Sequence, residues 1–210
     1  MTTVVHLVRH GEVDNPDRVL YGRMPGYHLS DAGRMMADKA AAFLSGRDLV
    51  YLISSPLERA LETAAPIAEL TGLAIEQDDR LIEAANSFEG QSVAGGHGKE
   101  LLHPRYWPRY RNPFRPSWGE AYADIAERVM AAVEDARQAA EDHEAVCVTH
   151  QLPIVATTRR ARGQHLWHDP RRRRCALGSV TSLVFEGAQI VRVDYAEPAG
   201  ETPRGTVAGA

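Results

Sequence analysis

The polarity pattern divides the chain into short apolar runs alternating with helical periods. Val4 to Val8 is a Val-rich run that stops abruptly at Arg9-His10-Gly11, as expected of a strand buried on both faces whose carboxyl end carries polar groups. Ser30 predicts the N-cap of a helix from Asp31 to about Ser45, with Met35, Met36, Ala40, Phe43 and Leu44 on its apolar face and Gly46 at its end. Leu49 to Ile53 reads as a second buried strand. Ser55-Pro56-Leu57-Glu58 then reads as a capping box with proline at the first helical position, opening a helix that passes through Pro66 and stops at Gly72. Ala74 to Glu76 is a short third strand.

From Ala84 to Trp118 the periodicity fades, and residues 103–116 are irregular, aromatic and basic, a composition that predicts a long functional loop or cap. Helical spacing returns over Glu120 to about Asp142, with Ile125, Val129, Ala132, Val133 and Ala136 on one side. A strand over Ala145–Val148 ends in Thr149-His150, and a helix follows from about Pro153 to Ala161. Val180–Phe185 and Ile190–Tyr195, separated by Glu186-Gly187-Ala188-Gln189, form a hairpin. Strands alternating with helices imply an α/β fold, a three-layer αβα sandwich on a mostly parallel central sheet with an antiparallel end. The organisation expected is one domain over residues 1–198, a cap or specificity insertion at 84–118, and a flexible tail at 199–210.

Composition narrows the function classes. With 210 residues, 44% hydrophobic and 25% charged, the chain has enough apolar content for a packed core, and no apolar run approaches the ~20 residues that span a bilayer. A cytoplasmic protein with no membrane partner is expected. Two cysteines, Cys147 and Cys175, are too few for a disulfide framework. A net charge of -4 argues against nucleic-acid binding, so any anion site must be local. Arg171 to Arg174 therefore reads as a solvated loop. His165 and His168 have metal-like spacing but lack a third ligand, and read as solvated surface. Gly95-Gly96-His97-Gly98-Lys99-Glu100 lacks the first glycine and the hydroxyl residue of a phosphate loop, and reads as a turn.

The chemistry gathers at strand ends. Arg9 and His10 follow the first strand, Arg59 lies on the opening helical turn after the second, and His150 follows the later one. In an open α/β sheet those ends share one edge, where ligands bind, so two imidazoles and two guanidiniums converge on one small volume. Two Arg forks with helix N-termini near Leu57 and Pro153 suit phosphate. Arg59 as a cation near a helix N-terminus is poorly placed unless an anion sits beside it.

The Leu7-Val8-Arg9-His10-Gly11-Glu12 block resembles the signature of the histidine phosphatase superfamily, the phosphoglycerate-mutase-like proteins. It is followed in order by Leu29-Ser30-Asp31-Ala32-Gly33, Ser54-Ser55-Pro56-Leu57-Glu58-Arg59-Ala60, Leu81-Ile82-Glu83, Gly119-Glu120 and Val148-Thr149-His150. The resemblance spans roughly Val4 to Tyr195. It implies that His10 takes a phosphoryl group onto a ring nitrogen, that Arg9, Arg59 and His150 hold the phosphoryl oxygens, and that Glu83 is the proton donor, with Glu89 in reserve. Glu83 is expected to have a raised pKa through repulsion from the phosphate. Asn15, Arg23 and Gln151 are further candidate binding residues. No metal and no organic cofactor is implied, and a homo-oligomer is left open.

Gln151 stands where many members have glycine, and Ala121 where serine is common, so no subfamily's substrate is carried over. The reading is a phosphomonoesterase acting on a small phosphorylated metabolite. The alternatives are a cofactor-dependent phosphoglycerate mutase and a non-catalytic phospholigand-binding regulatory protein.

Overall fold

A computed structural model of the chain describes residues 2–91 and 119–200. Six strands form one sheet: β1 Thr2–Arg9, β2 Leu49–Ser54, β3 Glu76–Gln77, β4 Glu144–Thr149, β5 Val180–Glu186 and β6 Gln189–Ala196. Their order is β3-β2-β4-β1-β5-β6. The first four are mutually parallel, and β5 and β6 close one end antiparallel. Helices α1 Asp31–Leu44 and α2 Glu58–Thr71 cover one face, and α3 Tyr122–Ala139 and α4 Gln151–Ala161 cover the other.

The unbroken apolar runs follow from this sandwich. Along β1, Val5 and Leu7 pack toward α3 and α4 while Val8 packs toward α1 and α2; along β4, Ala145 and Cys147 face one layer and Val146 and Val148 the other. Both cysteines are free and buried. Gly72 caps α2 in the left-handed region, and Ile125, Val129, Ala132, Val133 and Ala136 form the buried stripe of α3, as the periodicity predicts.

Three local expectations need correction. The buried stripe of α1 is Gly33, Ala37, Ala40, Ala41 and Leu44, while Met35 and Phe43 are exposed; the smallest side chains, not the bulkiest, let this helix dock closely. Helix α2 begins at Glu58 with Leu57 at the cap, since the Ser55 hydroxyl lies against His150 and the Glu58 carboxylate accepts from the Gly26 N–H. Helix α4 begins at Gln151 rather than near Pro153, with His150 as its N-cap residue. Among the described residues no helix is long and apolar enough to cross a membrane. The basic aromatic stretch at 103–116 and the Gly95–Glu100 turn lie outside the described residues, as does the tail beyond residue 200.

Candidate active site

Parallel pairing brings the chemistry together. Arg9 stands opposite Thr149, and Ser54 opposite Val148, so the carboxyl ends of β1, β4 and β2 emerge side by side. The pairing continues one step past β1, where the His10 N–H donates to the Thr149 carbonyl. Gly11 then turns the chain away, its N–H donating to Thr63 Oγ1 of α2. This turn is interlocked with α1: a Cβ at Gly11 would lie 2.3 Å from the Gly33 carbonyl oxygen, and one at Gly33 would lie 2.0 Å from the Glu12 carbonyl oxygen. Ser30 completes the joint, capping the Gly33 N–H at 3.0 Å and donating to Glu12 Oε1 at 2.8 Å.

Arg9, His10, Arg59, Glu83 and His150 are each at most 3% exposed. Their polar atoms are only half used. Arg9 donates from Nη1 to the Cys175 carbonyl, leaving Nε and Nη2 without partners among the described residues. Arg59 donates from Nη2 to the Gly22 carbonyl and lies 4.8 Å over the Tyr21 ring, leaving Nε and Nη1. His10 places Nδ1 2.7 Å from the Gly11 carbonyl, a contact that requires an N–H there and leaves Nε2 a free lone pair. His150 uses Nε2 on Ser55 Oγ at 2.8 Å and leaves Nδ1; Glu83 accepts the Ala84 N–H on Oε1 and leaves Oε2. Buried polar atoms are normally satisfied, so these atoms together mark a site built for a ligand rather than for the protein.

The charges agree. Burial, then the charges of Arg59 and Arg9, hold the His10 pKa well below the usual imidazole value, and burial followed by Arg59 does the same for His150. Both rings are therefore neutral near pH 7. Burial raises the Glu83 pKa against the pull of Arg59 and Arg9. The cause is desolvation, present without any ligand, rather than the phosphate repulsion expected from sequence. Two guanidinium charges buried beside neutral imidazoles and a carboxyl that resists ionising make a cavity that attracts an anion. Among the described residues no cluster of three or more His, Cys, Asp or Glu is placed to hold a metal ion.

Glu83 also lines an adjoining pocket of about 210 Å³ with Leu20, Asn86, Tyr122, Leu152 and Arg173. Thr149 Oγ1 donates to the Leu81 carbonyl and fixes the segment that carries Glu83 to the end of β4. Gly119 packs so tightly on the Ala85 carbonyl that a Cβ would lie 2.5 Å from its oxygen. Glu120, next in sequence, takes Arg128 at 2.7 Å and Arg23 at 2.8 Å.

The candidates divide accordingly. Arg9, His10, Arg59, Glu83 and His150 come together, whereas Asn15 and Arg23 are engaged as braces. Asn15 closes its own loop by two bonds to the Val19 backbone, and Arg23 spans the Glu83 carbonyl and the Glu120 carboxylate. Glu89 accepts the N–H groups of Arg23 and Asn86 on Oε1 and so holds the loop. Gln151 reaches Arg173, accepting from Nη1 at 3.2 Å.

One reading of the sequence is overturned and another holds only in part. His168, expected on the solvated surface, is 8% exposed, while in the run expected to be a solvated loop Arg171, Arg172 and Arg174 are exposed and Arg173 is half-buried and lines the pocket. Their position after α4 gives no periodic signal, and an arginine run looks the same whether one member turns inward or not. Ser55 was hidden differently, since its hydroxyl satisfies the pattern of a helix cap equally well.

Comparison with known proteins bears on this geometry. Residues 5–197 match the family described as histidine phosphatase superfamily (branch 1). The chain is 55% identical over 197 residues to the uncharacterised protein Rv0525 of Mycobacterium tuberculosis, covering 94% of this chain and 97% of that protein. It is 32% identical over 155 residues to phosphoserine phosphatase 1 of Hydrogenobacter thermophilus, covering 71% and 72%. Among solved structures, the mycobacterial glucosyl-3-phosphoglycerate phosphatase superposes with a TM-score of 0.72 at 26% identity, over 93% of this chain and 97% of that one. With the family match running almost end to end over a sheet whose strand ends carry its signature residues, the chain belongs to the histidine phosphatase superfamily and is a phosphoric monoester hydrolase.

Proposed function

We propose that the protein hydrolyses a small phosphorylated metabolite through a phosphohistidine on His10. The observation that carries this reading is the set of buried atoms without a hydrogen-bond partner among the described residues, Arg9 Nε and Nη2, Arg59 Nε and Nη1, His10 Nε2, His150 Nδ1 and Glu83 Oε2. In the first step Nε2 of His10 attacks phosphorus in line with the ester oxygen, forming a P–N bond as the P–O bond breaks. The Arg9 and Arg59 forks neutralise the non-bridging oxygens, and His150 donates from Nδ1 when the Ser55 hydroxyl donates a hydrogen bond to Nε2 and so fixes that tautomer. Glu83, whose pKa burial raises, hands its proton to the leaving alkoxide. The resulting carboxylate then takes a proton from water, whose oxygen displaces His10 and releases phosphate.

Phosphate release from a panel of phosphorylated metabolites, measured for the wild type and His10→Ala, tests this. The variant is expected to lose at least about a thousandfold in turnover with little change in melting temperature. Alkaline quenching of the wild type, which preserves an acid-labile P–N bond, is expected to leave one phosphoryl group on His10. Residual turnover above that level, with no adduct, overturns the nucleophile assignment. Isomerisation of 3-phosphoglycerate dependent on 2,3-bisphosphoglycerate makes the enzyme a mutase. Tight binding of phosphate esters without turnover makes it a regulatory protein.

A further inference from the structure

The structure assigns to Arg173 the role of a specificity-determining residue that reads a second anionic group on the substrate. This rests on the phosphatase reading above. Arg173 lines the pocket that adjoins the buried site at Glu83, and it acts electrostatically on that carboxyl. Its orientation is imposed from two sides. Nε donates to His168 Nε2 at 3.0 Å, and Nη1 donates to Gln151 Oε1 at 3.2 Å. His168 is itself fixed, since Nδ1 lies 2.7 Å from the Leu166 carbonyl and must carry the proton, which leaves Nε2 as an acceptor. Burial lowers the His168 pKa, so the ring stays neutral beside the guanidinium.

Both partners are neutral, so the clamp orients Arg173 without cancelling its charge. Nη2 has no hydrogen-bond acceptor among the described residues. The pocket's other charged rim group, Glu120, is already held by Arg23 and Arg128. A positive charge with a donor unused among the described residues, next to the reacting carboxyl yet separate from the Arg9 and Arg59 forks, is suited to a carboxylate or second phosphate on a compact ester. The volume of about 210 Å³ holds a few carbon atoms beyond the reacting group.

The test uses esters that differ only in the second anion: 3-phosphoglycerate against glycerol 3-phosphate, and a hexose bisphosphate against the corresponding monophosphate. For each pair kcat/KM is measured with the wild type, Arg173→Ala and Arg173→Lys. Binding of the unreacted esters is measured by calorimetry in a His10→Ala background. The wild type is expected to favour the member that carries the second anionic group in at least one pair, and Arg173→Ala to cut that preference at least about tenfold, mainly through KM and the dissociation constant. Arg173→Lys, which keeps the charge without the fork, is expected to fall between. No preference in the wild type, an unchanged preference in Arg173→Ala, or equal losses for both members overturns the assignment. Failure of the wild type to turn over any ester counts against the hydrolase reading instead, and the binding ratio still decides on Arg173.

Discussion

An imidazole that keeps one proton on Nδ1 and none on Nε2 is ready to attack without a separate base, and the Gly11 carbonyl holds His10 in that tautomer. Glu83 complements it, because the same burial that lowers the His10 pKa raises that of the carboxyl. Between the ordinary carboxyl pKa of 4.5 and the raised value, the folded protein binds more protons at Glu83 than the unfolded chain does, so this group's contribution to stability falls as pH rises through that window. Glu83→Gln is therefore expected to gain stability relative to the wild type as pH rises, measured by denaturant melts at several pH values. Its kcat on alkyl phosphates should drop about a hundredfold or more. The loss should be smaller on p-nitrophenyl phosphate, whose leaving group needs no proton; equal losses on both would remove Glu83 from the acid role. The convergence of Arg9, His10, Arg59 and His150 was legible because strand ends and the opening turn of a helix give them fixed addresses in the pattern. Arg173 and the bond between Ser55 and His150 were not, since each depends on contacts between segments far apart in sequence.

At the level of elements, α1 matters less for what it covers than for how closely it approaches. Its first turn carries Gly33, whose missing side chain makes room for the Glu12 carbonyl, and Ser30, whose hydroxyl serves the helix and Glu12 at once. Gly33→Ala is expected to destabilise the protein by about 1–3 kcal/mol and to lower kcat as well, because the strain passes into the turn that orients His10. A melt paired with a turnover assay checks this, and a stability loss with full activity would uncouple the helix from the site. The order of the four α-helices and six strands among the described residues follows the periodicity, although β3 lies at Glu76–Gln77 rather than Ala74–Glu76 and the short 3-10 turns at Asp79–Leu81 and Pro170–Arg172 carry no periodic signal. The face of α1 was misread, since a scale that rewards bulk favours Met35 and Phe43 over the alanines that allow close packing. The start of α2 was missed because Ser55 has a better partner than the helix it precedes.

For the whole molecule, the net charge of -4 conceals a local excess of buried positive charge at Arg9 and Arg59. Any tetrahedral oxyanion that fills the cavity relieves it. Inorganic phosphate at a hundred times its dissociation constant should stabilise the fold by about 2.7 kcal/mol, raising the melting temperature by roughly 5–10 °C. Chloride at the same ionic strength should not, and Arg59→Ala should abolish the shift; a rise that survives either control would mean that phosphate acts elsewhere. The two parts of the site also differ in how they are attached. Arg9, His10, Ser55 and His150 stand within a residue of the sheet, so changing their spacing means changing the core. The pocket-lining Asn86, Glu120 and Arg173, with His168 behind Arg173, come from connections off the sheet. Such a molecule can acquire or lose substrates by substitutions in its connections while its reaction stays fixed, which makes residues 168–173 the segment to randomise in a search for new esters.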